Sequence, residues 1–346
     1  MTASKSPPPL TRRPRDAYKY FELPTPSFTP AQESHLTTIY KPRSPAKMST
    51  DRSKLTSRLP PSMQLSDGLS TSKTAPPAPV SLSVPPAERA KNRFALEGTA
   101  IVTGGAGGIG SVACRALLEH GLQELAIFDL FADEAQRTIA ALESDFPAAT
   151  IAFFKVDVTD AQSVSDAVAA VESKMGPIST LLCFAGITGS IHALDISPRE
   201  WEKMLAVNTT GVFLCAQAVA RSMTRNNISG SIILMASISG HIINYPQPQV
   251  HYNASKAAVL SMKGSLAAEW ARYGIRVNSI SPGYMDTILN EGEGLEEQRQ
   301  IWAKRNPFGR MGQPQELTGA IILLASRAGS YITGADIVVD GGLTVF

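Results

Sequence analysis

Thr99-Ala100-Ile101-Val102-Thr103-Gly104-Gly105-Ala106-Gly107-Gly108-Ile109-Gly110 opens the patterned part of this 346-residue chain and settles its architecture. The first five residues are each apolar or β-branched, which suits a short buried strand. Residues 109–120 then carry apolar side chains at helical spacing. A glycine-rich turn between strand and helix lets the backbone fold tightly, and the helix N-terminus presents unpaired N–H groups and a positive dipole end to an anion. Gly105, Gly107 and Gly110 match GxGxxG, while Gly104, Gly108 and Gly110 give GxxxGxG. Such a turn serves either close strand–helix packing or a pyrophosphate.

Two features favour the pyrophosphate. The strand and helix stand on the correct sides, and Asp129 ends the next strand, 125–130, 19 residues after Gly110. A carboxylate there accepts from the adenosine ribose 2′-OH and repels a 2′-phosphate. No Arg or Lys lies in the turn and Leu130 follows Asp129, so NAD is favoured over NADP, which stays open. An Asp in this place also serves as a helix cap.

Working outward, strands are expected at 151–156, 180–184, 231–235, 276–280 and 336–339, with helices at 133–145, 161–175, 200–225 and 250–273. Strand–helix alternation of this length predicts a single α/β domain, a doubly wound parallel sheet of about seven strands. Ligands of such sheets bind beyond the carboxyl ends of the strands.

Residues 1–92 are a different material. They hold 16 of the 24 prolines, one glycine (Gly68), and 14 basic against 6 acidic residues, a net charge of +8. Pro7-Pro8-Pro9, Pro60-Pro61, Pro76-Pro77 and Pro85-Pro86 oppose helix and central strand alike, so this arm is read as disordered, with a catalytic domain over 93–346. It suits a solvated tail, a docking tail, or a transit peptide built on Arg12, Arg13, Arg15 and Lys19, whose helix Pro14 would interrupt. Aromatics are not interleaved with its charges, which disfavours nucleic acid, and Met48 is an alternative start. No stretch approaches 18 uninterrupted apolar residues, so no membrane span is expected. Three cysteines (Cys114, Cys183, Cys215) form neither a disulfide framework nor a metal-type spacing. A reduced, cytoplasmic protein is expected, with a mitochondrial address left open.

Chemistry enters with Tyr252-Asn253-Ala254-Ser255-Lys256, which sets a phenol and an ammonium four apart on one helix face. Ser237 lies at the end of the preceding strand, with Gly240 after it. A phenol titrates near pH 10 and is a poor base at neutrality. A neighbouring ammonium and an oxidised nicotinamide both favour phenolate and are expected to lower that value. Ser237 then holds a substrate oxygen while Tyr252 exchanges its proton and hydride moves at carbon.

From about residue 94 to the C-terminus the chain resembles the short-chain dehydrogenase/reductase family. Thr103–Gly110 resembles its TGxxxGxG turn, in which Gly104, Gly108, Ile109 and Gly110 face the cofactor, and Ser237, Tyr252 and Lys256 resemble its catalytic triad. The resemblance implies that Asn208 completes a tetrad by holding a relay water, that Lys256 also holds the ribose, and that Asp157 and Val158 contact adenine. It further implies that Met285 (backbone) and Thr287 (side chain) bind the nicotinamide amide, and that the protein is a homodimer or homotetramer. One departure stands out. Where the family has Asn-Asn-Ala-Gly, this chain reads Cys183-Phe184-Ala185-Gly186, which keeps the small pair beside the cofactor but loses an amide brace to Thr103.

Residues 227–234 and 243–249, with 330–336 and 339–342, are similar to fungal polyol dehydrogenases of the D-arabinitol 2-dehydrogenase, mannitol dehydrogenase and sorbose reductase group. The loop after Ser237 offers Ser239, His241, Asn244, Gln247 and Gln249 to a substrate with several hydroxyls, with Ser239, Asn244 and Gln249 the named candidates. His241 and His251 lack metal partners and are read as polar lining. Glu291, Glu293, Glu296 and Glu297 are read as a solvated acidic flap. The expectation is an NAD-dependent polyol/ketose oxidoreductase. A carbonyl reductase of apolar or secondary-metabolite ketones is the alternative, and a cofactor-sensing interaction protein the third reading.

Overall fold

The structure, a computed structural model, describes residues 61–287, 290 and 293–346. Residues 1–60, with the early basic cluster and Met48, lie outside the described residues, as do Glu291 and the side chain of Glu293. Helix α1 (Pro86–Phe94) precedes β1 (Thr99–Thr103), α2 (Gly108–Glu119), β2 (Glu124–Asp129), α3 (Ala132–Asp145), β3 (Thr150–Lys155), α4 (Ala161–Met175) and β4 (Ile178–Cys183). The second half contains α5 (Pro198–Leu205), α6 (Val212–Arg225), β5 (Gly230–Met235), α7 (Val250–Trp270), β6 (Ile275–Pro282), α8 (Glu296–Arg305), α9 (Thr318–Ala325) and β7 (Asp336–Val339). The seven strands form one sheet in the order β3-β2-β1-β4-β5-β6-β7, and every pairing is parallel.

Strand alternation builds two cores. Ile101 of β1 faces a cluster filled by α4, α6 and α7, including Val171, Val219 and Val259. Its neighbours Ala100 and Val102 face the other side, against Leu117 of α2, Leu142 of α3 and Ile321 of α9. Each fully buried Leu, Ile or Val contributes about 1.5–3 kcal/mol, so covering both faces holds the sheet. The three cysteines are buried, free thiols. By length and composition the helical run Pro198–Arg225 could cross a membrane. Its apolar residues Val212, Cys215, Val219 and Met223 are instead part of the core.

Helix 200–225 was expected to be continuous. It begins earlier, at Pro198, behind a Ser197–Glu200 capping box, and is broken by a π turn over Ala206–Gly211. Gly211 accounts for the break. A Cβ there would stand 2.8 Å from Val158 Cγ2, so the widened turn lets the strand-β3 loop press against the helix.

Residue 92, where the arm was expected to end, lies within regular structure. It falls inside α1, where Pro85 and Pro86 occupy the N-cap and first position, the places a helix tolerates proline. Residues 61–85 lie as a strap across loops preceding three strands. Lys73 Nζ donates to Asn227 O at 2.7 Å, Arg327 Nη2 to Ala78 O at 2.7 Å, and Arg272 to the Gln64 side chain. Exposed contacts of this kind contribute about 0.5–1.5 kcal/mol each. The double variant Lys73→Ala/Arg327→Ala is therefore expected to melt about 2–5 °C lower. An unchanged melting temperature would show that the strap lies on the surface without supporting it.

Candidate active site

The glycine turn is closed so tightly that side chains are excluded. Gly104 has φ +67°, and a Cβ on it would reach Ala185 Cα at 2.8 Å. A Cβ on Gly110 would stand 2.0 Å from Gly104 O. Gly108 is looser, facing Thr287 at 3.5 Å. Helix α2 starts behind Gly107 with no side-chain cap and no acidic residue in its first turn. Its leading amides, those of Gly108, Ile109 and Gly110, are thus left for an anion, and a pyrophosphate fits that donor set.

Asp129 does not cap helix α3, whose N-cap is Phe131 with no side-chain bond; its carboxylate instead ties the glycine turn to the loop that follows β2. One carboxylate oxygen accepts from Leu130 N at 2.8 Å and Phe131 N at 3.3 Å, and the other from Ala106 N at 3.2 Å in the glycine turn. It is half-buried at the end of β2. The brace feared lost with the missing amides exists in another form. Thr103 Oγ1 accepts from the backbone N–H groups of Phe184 and Ala185, each at 3.0 Å. Phe184 and Cys183 accordingly need no polar side chain, and Cys183 is buried packing.

Asp157 closes its own turn, accepting from Thr159 N at 2.9 Å and Thr159 Oγ1 at 2.7 Å. Val158 packs on Gly211. On the other side of the cleft, Thr287 is buried, and the Met285 carbonyl accepts from Asn290 Nδ2 at 2.7 Å. Gly186 lies between catalytic candidates: a Cβ there would stand 3.3 Å from Asn208 Oδ1 and 3.8 Å from Lys256 Nζ.

Those candidates converge. Ser237 Oγ accepts from Ser239 N and donates to Ser239 Oγ, both at 3.1 Å, and it is the one neighbour that favours the ionised form of the Tyr252 phenol. Lys256 is buried, with Nζ donating to Met235 O at 2.8 Å and lying 5.6 Å from the Tyr252 ring centre. Gly240 permits this arrangement, because a Cβ would press against the Lys256 backbone at 2.9 Å. Asn208, fully buried in the π turn, donates from Nδ2 to Ile187 O and accepts at Oδ1 from Ile187 N, both at 2.9 Å.

The electrostatics revise one expectation. Burial is the largest influence on Tyr252 and raises its pKa, as does Tyr284, while only the Ser237 hydrogen bond lowers it. Desolvation of a phenolate outweighs what one hydroxyl returns. Burial likewise lowers Lys256 from 10.5 to about 8.

The loop after Ser237 divides. Ser239 and the buried Gln249 stay with Ser237, Gln249 Nε2 donating to Ser239 Oγ at 3.4 Å. His241 does not join them: Nε2 lies 2.9 Å from Asp336 Oδ2 and 3.1 Å from Ser281 Oγ, drawn to the carboxylate at the start of β7. His251 is buried, with its Nε2 3.3 Å from where a Gly189 Cβ would lie and its Nδ1 without a partner. Asn244 and Gln247 bind Tyr284, donating to Oη at 2.9 and 3.0 Å. Tyr284 stacks on Trp302 at 4.3 Å and 6°. The sequence reading assigned no role to Tyr284 or Trp302; an aromatic within the Pro282-Gly283 segment was the available signal. Glu296 and Glu297, read as flap, open helix α8, where carboxylates complement the helix dipole.

A parallel sheet in this order, an uncapped helix behind a glycine turn, and a Ser-Tyr-Lys group at the strand ends define a nicotinamide-dependent oxidoreductase. Residues 104–344 match the family profile adh_short_C2, described as "Enoyl-(Acyl carrier protein) reductase". The chain belongs to the short-chain dehydrogenase/reductase family. It is 38% identical to D-arabinitol 2-dehydrogenase [ribulose-forming] of Candida albicans (strain WO-1), over 72% of this chain and 94% of that protein. It is 37% identical to NADP-dependent mannitol dehydrogenase of Hypocrea jecorina, over 75% and 98%. Among solved structures, a short-chain type dehydrogenase/reductase from Mycobacterium marinum is similar at TM-score 0.67 and 40% identity, over 73% and 97%.

Proposed function

We propose that the protein interconverts a polyol and a ketose at a secondary carbon with NAD, with Tyr252 as acid/base. The observation that carries this reading is the junction of Ser237, Tyr252 and Lys256 beside Gly186, at the same sheet edge as the open amides of helix α2. A bound oxidised nicotinamide supplies the hydride acceptor and a positive charge. Ser237 holds the substrate oxygen by hydrogen bonding. Tyr252 takes the hydroxyl proton in oxidation and returns it in reduction. The Lys256 ammonium favours the phenolate and has donors left for the cofactor ribose, since it uses one on Met235 O. Asn208, bonded to both Ile187 backbone groups, fixes the floor of the relay and would hold its water.

The relatives named for arabinitol and mannitol support a polyol substrate. Ser239 and Gln249 add hydroxyl partners beside Ser237. Steady-state rates on arabinitol, mannitol, galactitol and bulky apolar ketones with both nicotinamides test it. Fast ketone reduction without polyol oxidation would move the assignment to the carbonyl-reductase alternative.

For the cofactor, the half-buried Asp129 carboxylate beside the turn supports NAD. The competing choice draws on Lys155, paired with Asp129 across β2 and β3, and on the NADP-dependent relative. Asp129→Ala is expected to lower the NAD over NADP preference about 10- to 100-fold, the worth of one charge-assisted contact. An unchanged ratio of kcat/KM would contradict the ribose role. We further propose a homodimer or homotetramer, supported by the family resemblance and checkable by light scattering.

A further inference from the structure

Beside the catalytic group, a buried polar network is bonded in a way that leaves a defined remainder. Tyr284 Oη accepts from Asn244 Nδ2 at 2.9 Å and from Gln247 Nε2 at 3.0 Å. A phenol oxygen has two lone pairs, so both are engaged and its hydrogen is left to donate. Among the described residues no acceptor is bonded to it. The ring cannot swing to find one, because it stacks on Trp302, and Trp302 Nε1 donates at 3.0 Å to the Oε1 of the same Gln247. Asn244 shows the complementary remainder. Its Nδ2 is used on Tyr284, while its Oδ1 is buried and without a partner.

A rigid donor and an unpaired acceptor thus stand side by side, which is the pattern an alcohol satisfies, since a hydroxyl both accepts and donates. The place suits this. Asn244 follows β5, as Ser237 does, and Tyr284 follows the neighbouring parallel strand β6, so both stand at the carboxyl edge of the sheet with the catalytic group, and Tyr284 belongs to the segment that also carries Thr287. We propose that Tyr284 and Asn244 form a second hydroxyl-recognition point, reading an OH of the substrate other than the one oxidised. This rests on the polyol reading above and specifies which residues enforce it. Buried polar groups left unpaired by a substrate lacking the matching hydroxyl are the strongest basis for rejecting it.

The test compares the best polyol among arabinitol, mannitol and galactitol with 2-butanol, which has a single hydroxyl. Tyr284→Phe keeps the ring stack and removes only the donor, and Asn244→Ala removes the acceptor. Each is expected to raise KM for the polyol about tenfold or more and to lower the polyol to 2-butanol ratio of kcat/KM by a similar factor. A merely structural role would reduce both alcohols equally and leave the ratio in place. An unmoved ratio in both variants, with wild-type polyol turnover intact, overturns this inference alone. A wild-type enzyme that oxidises 2-butanol but no polyol overturns the polyol reading and this inference with it.

Discussion

Tyr252→Phe is expected to lower kcat about 10³-fold while the melting temperature stays near that of the wild type, because general acid–base catalysis contributes 10²–10⁴ and the other nearby phenol, Tyr284, is held by Asn244 and Gln247. Ser237 is bonded to Ser239 as both donor and acceptor and serves as an orienting group. The substitution keeps the aromatic ring, so the Lys256 ammonium retains the face it lies over at 5.6 Å. It also removes a hydroxyl whose ionisation burial opposes. Folding therefore loses little. Single-turnover oxidation with saturating cofactor measures the effect on chemistry apart from binding. Turnover within severalfold of wild type would remove Tyr252 from the acid/base position and with it the proposed mechanism.

Much of this site was legible in the chain, and the reasons are physical. Tyr252 and Lys256 share a face because helix spacing puts residues four apart together, and strands ending in Thr103, Asp129, Cys183 and Met235 deliver their loops to one sheet edge because all are parallel. Periodicity located each strand to within two residues. What it could not carry was anything decided by contact between distant segments. The π turn at Ala206–Gly211 ends where Val158, far away in sequence, packs against Gly211. Proline content marked residues 1–92 as unfit for helix or sheet, although Pro86 begins helix α1; residues 61–85 are held in another way. A strap needs neither, only carbonyls and side chains that reach Asn227, Arg272 and Arg327. The Thr103 brace escaped notice because backbone N–H groups replaced the amides of the family motif, and backbone donors leave no mark in a sequence. His241 was misplaced for a similar reason, since its partner Asp336 lies 95 residues on.

Lys256→Met brings stability and catalysis into opposition, and the two signs can be worked out separately. Burial lowers the lysine pKa from 10.5 to about 8. Between those values the unfolded chain binds more protons than the folded one, so stability rises with pH through that window and is lowest below it. A displacement of this size corresponds to on the order of 3 kcal/mol of penalty at neutral pH. Methionine abolishes the penalty but leaves the Met235 carbonyl without its donor, at a cost of about 1–3 kcal/mol. The buried thiols of Cys114, Cys183 and Cys215, whose pKa values burial raises, weaken both proteins alike as the pH climbs past 9, so the Lys256 contribution is read as a difference: the melting temperature of the cofactor-free wild type is expected to gain on that of the variant between pH 8 and 10. Catalysis moves the other way. Lys256 is not among the influences on the un-ionised Tyr252 of the cofactor-free protein, so the expectation concerns the holoenzyme: there an adjacent cation lowers an acidic pKa by about 1–3 units, and its loss leaves about 10- to 1000-fold less phenolate at fixed pH. The acid limb of the kcat profile for alcohol oxidation should shift upward by the same interval, and raising the pH should recover part of the lost rate. Parallel melting curves for the two proteins would show that Lys256 is not held against its ionisation. An unshifted acid limb would show that its charge does not act on Tyr252.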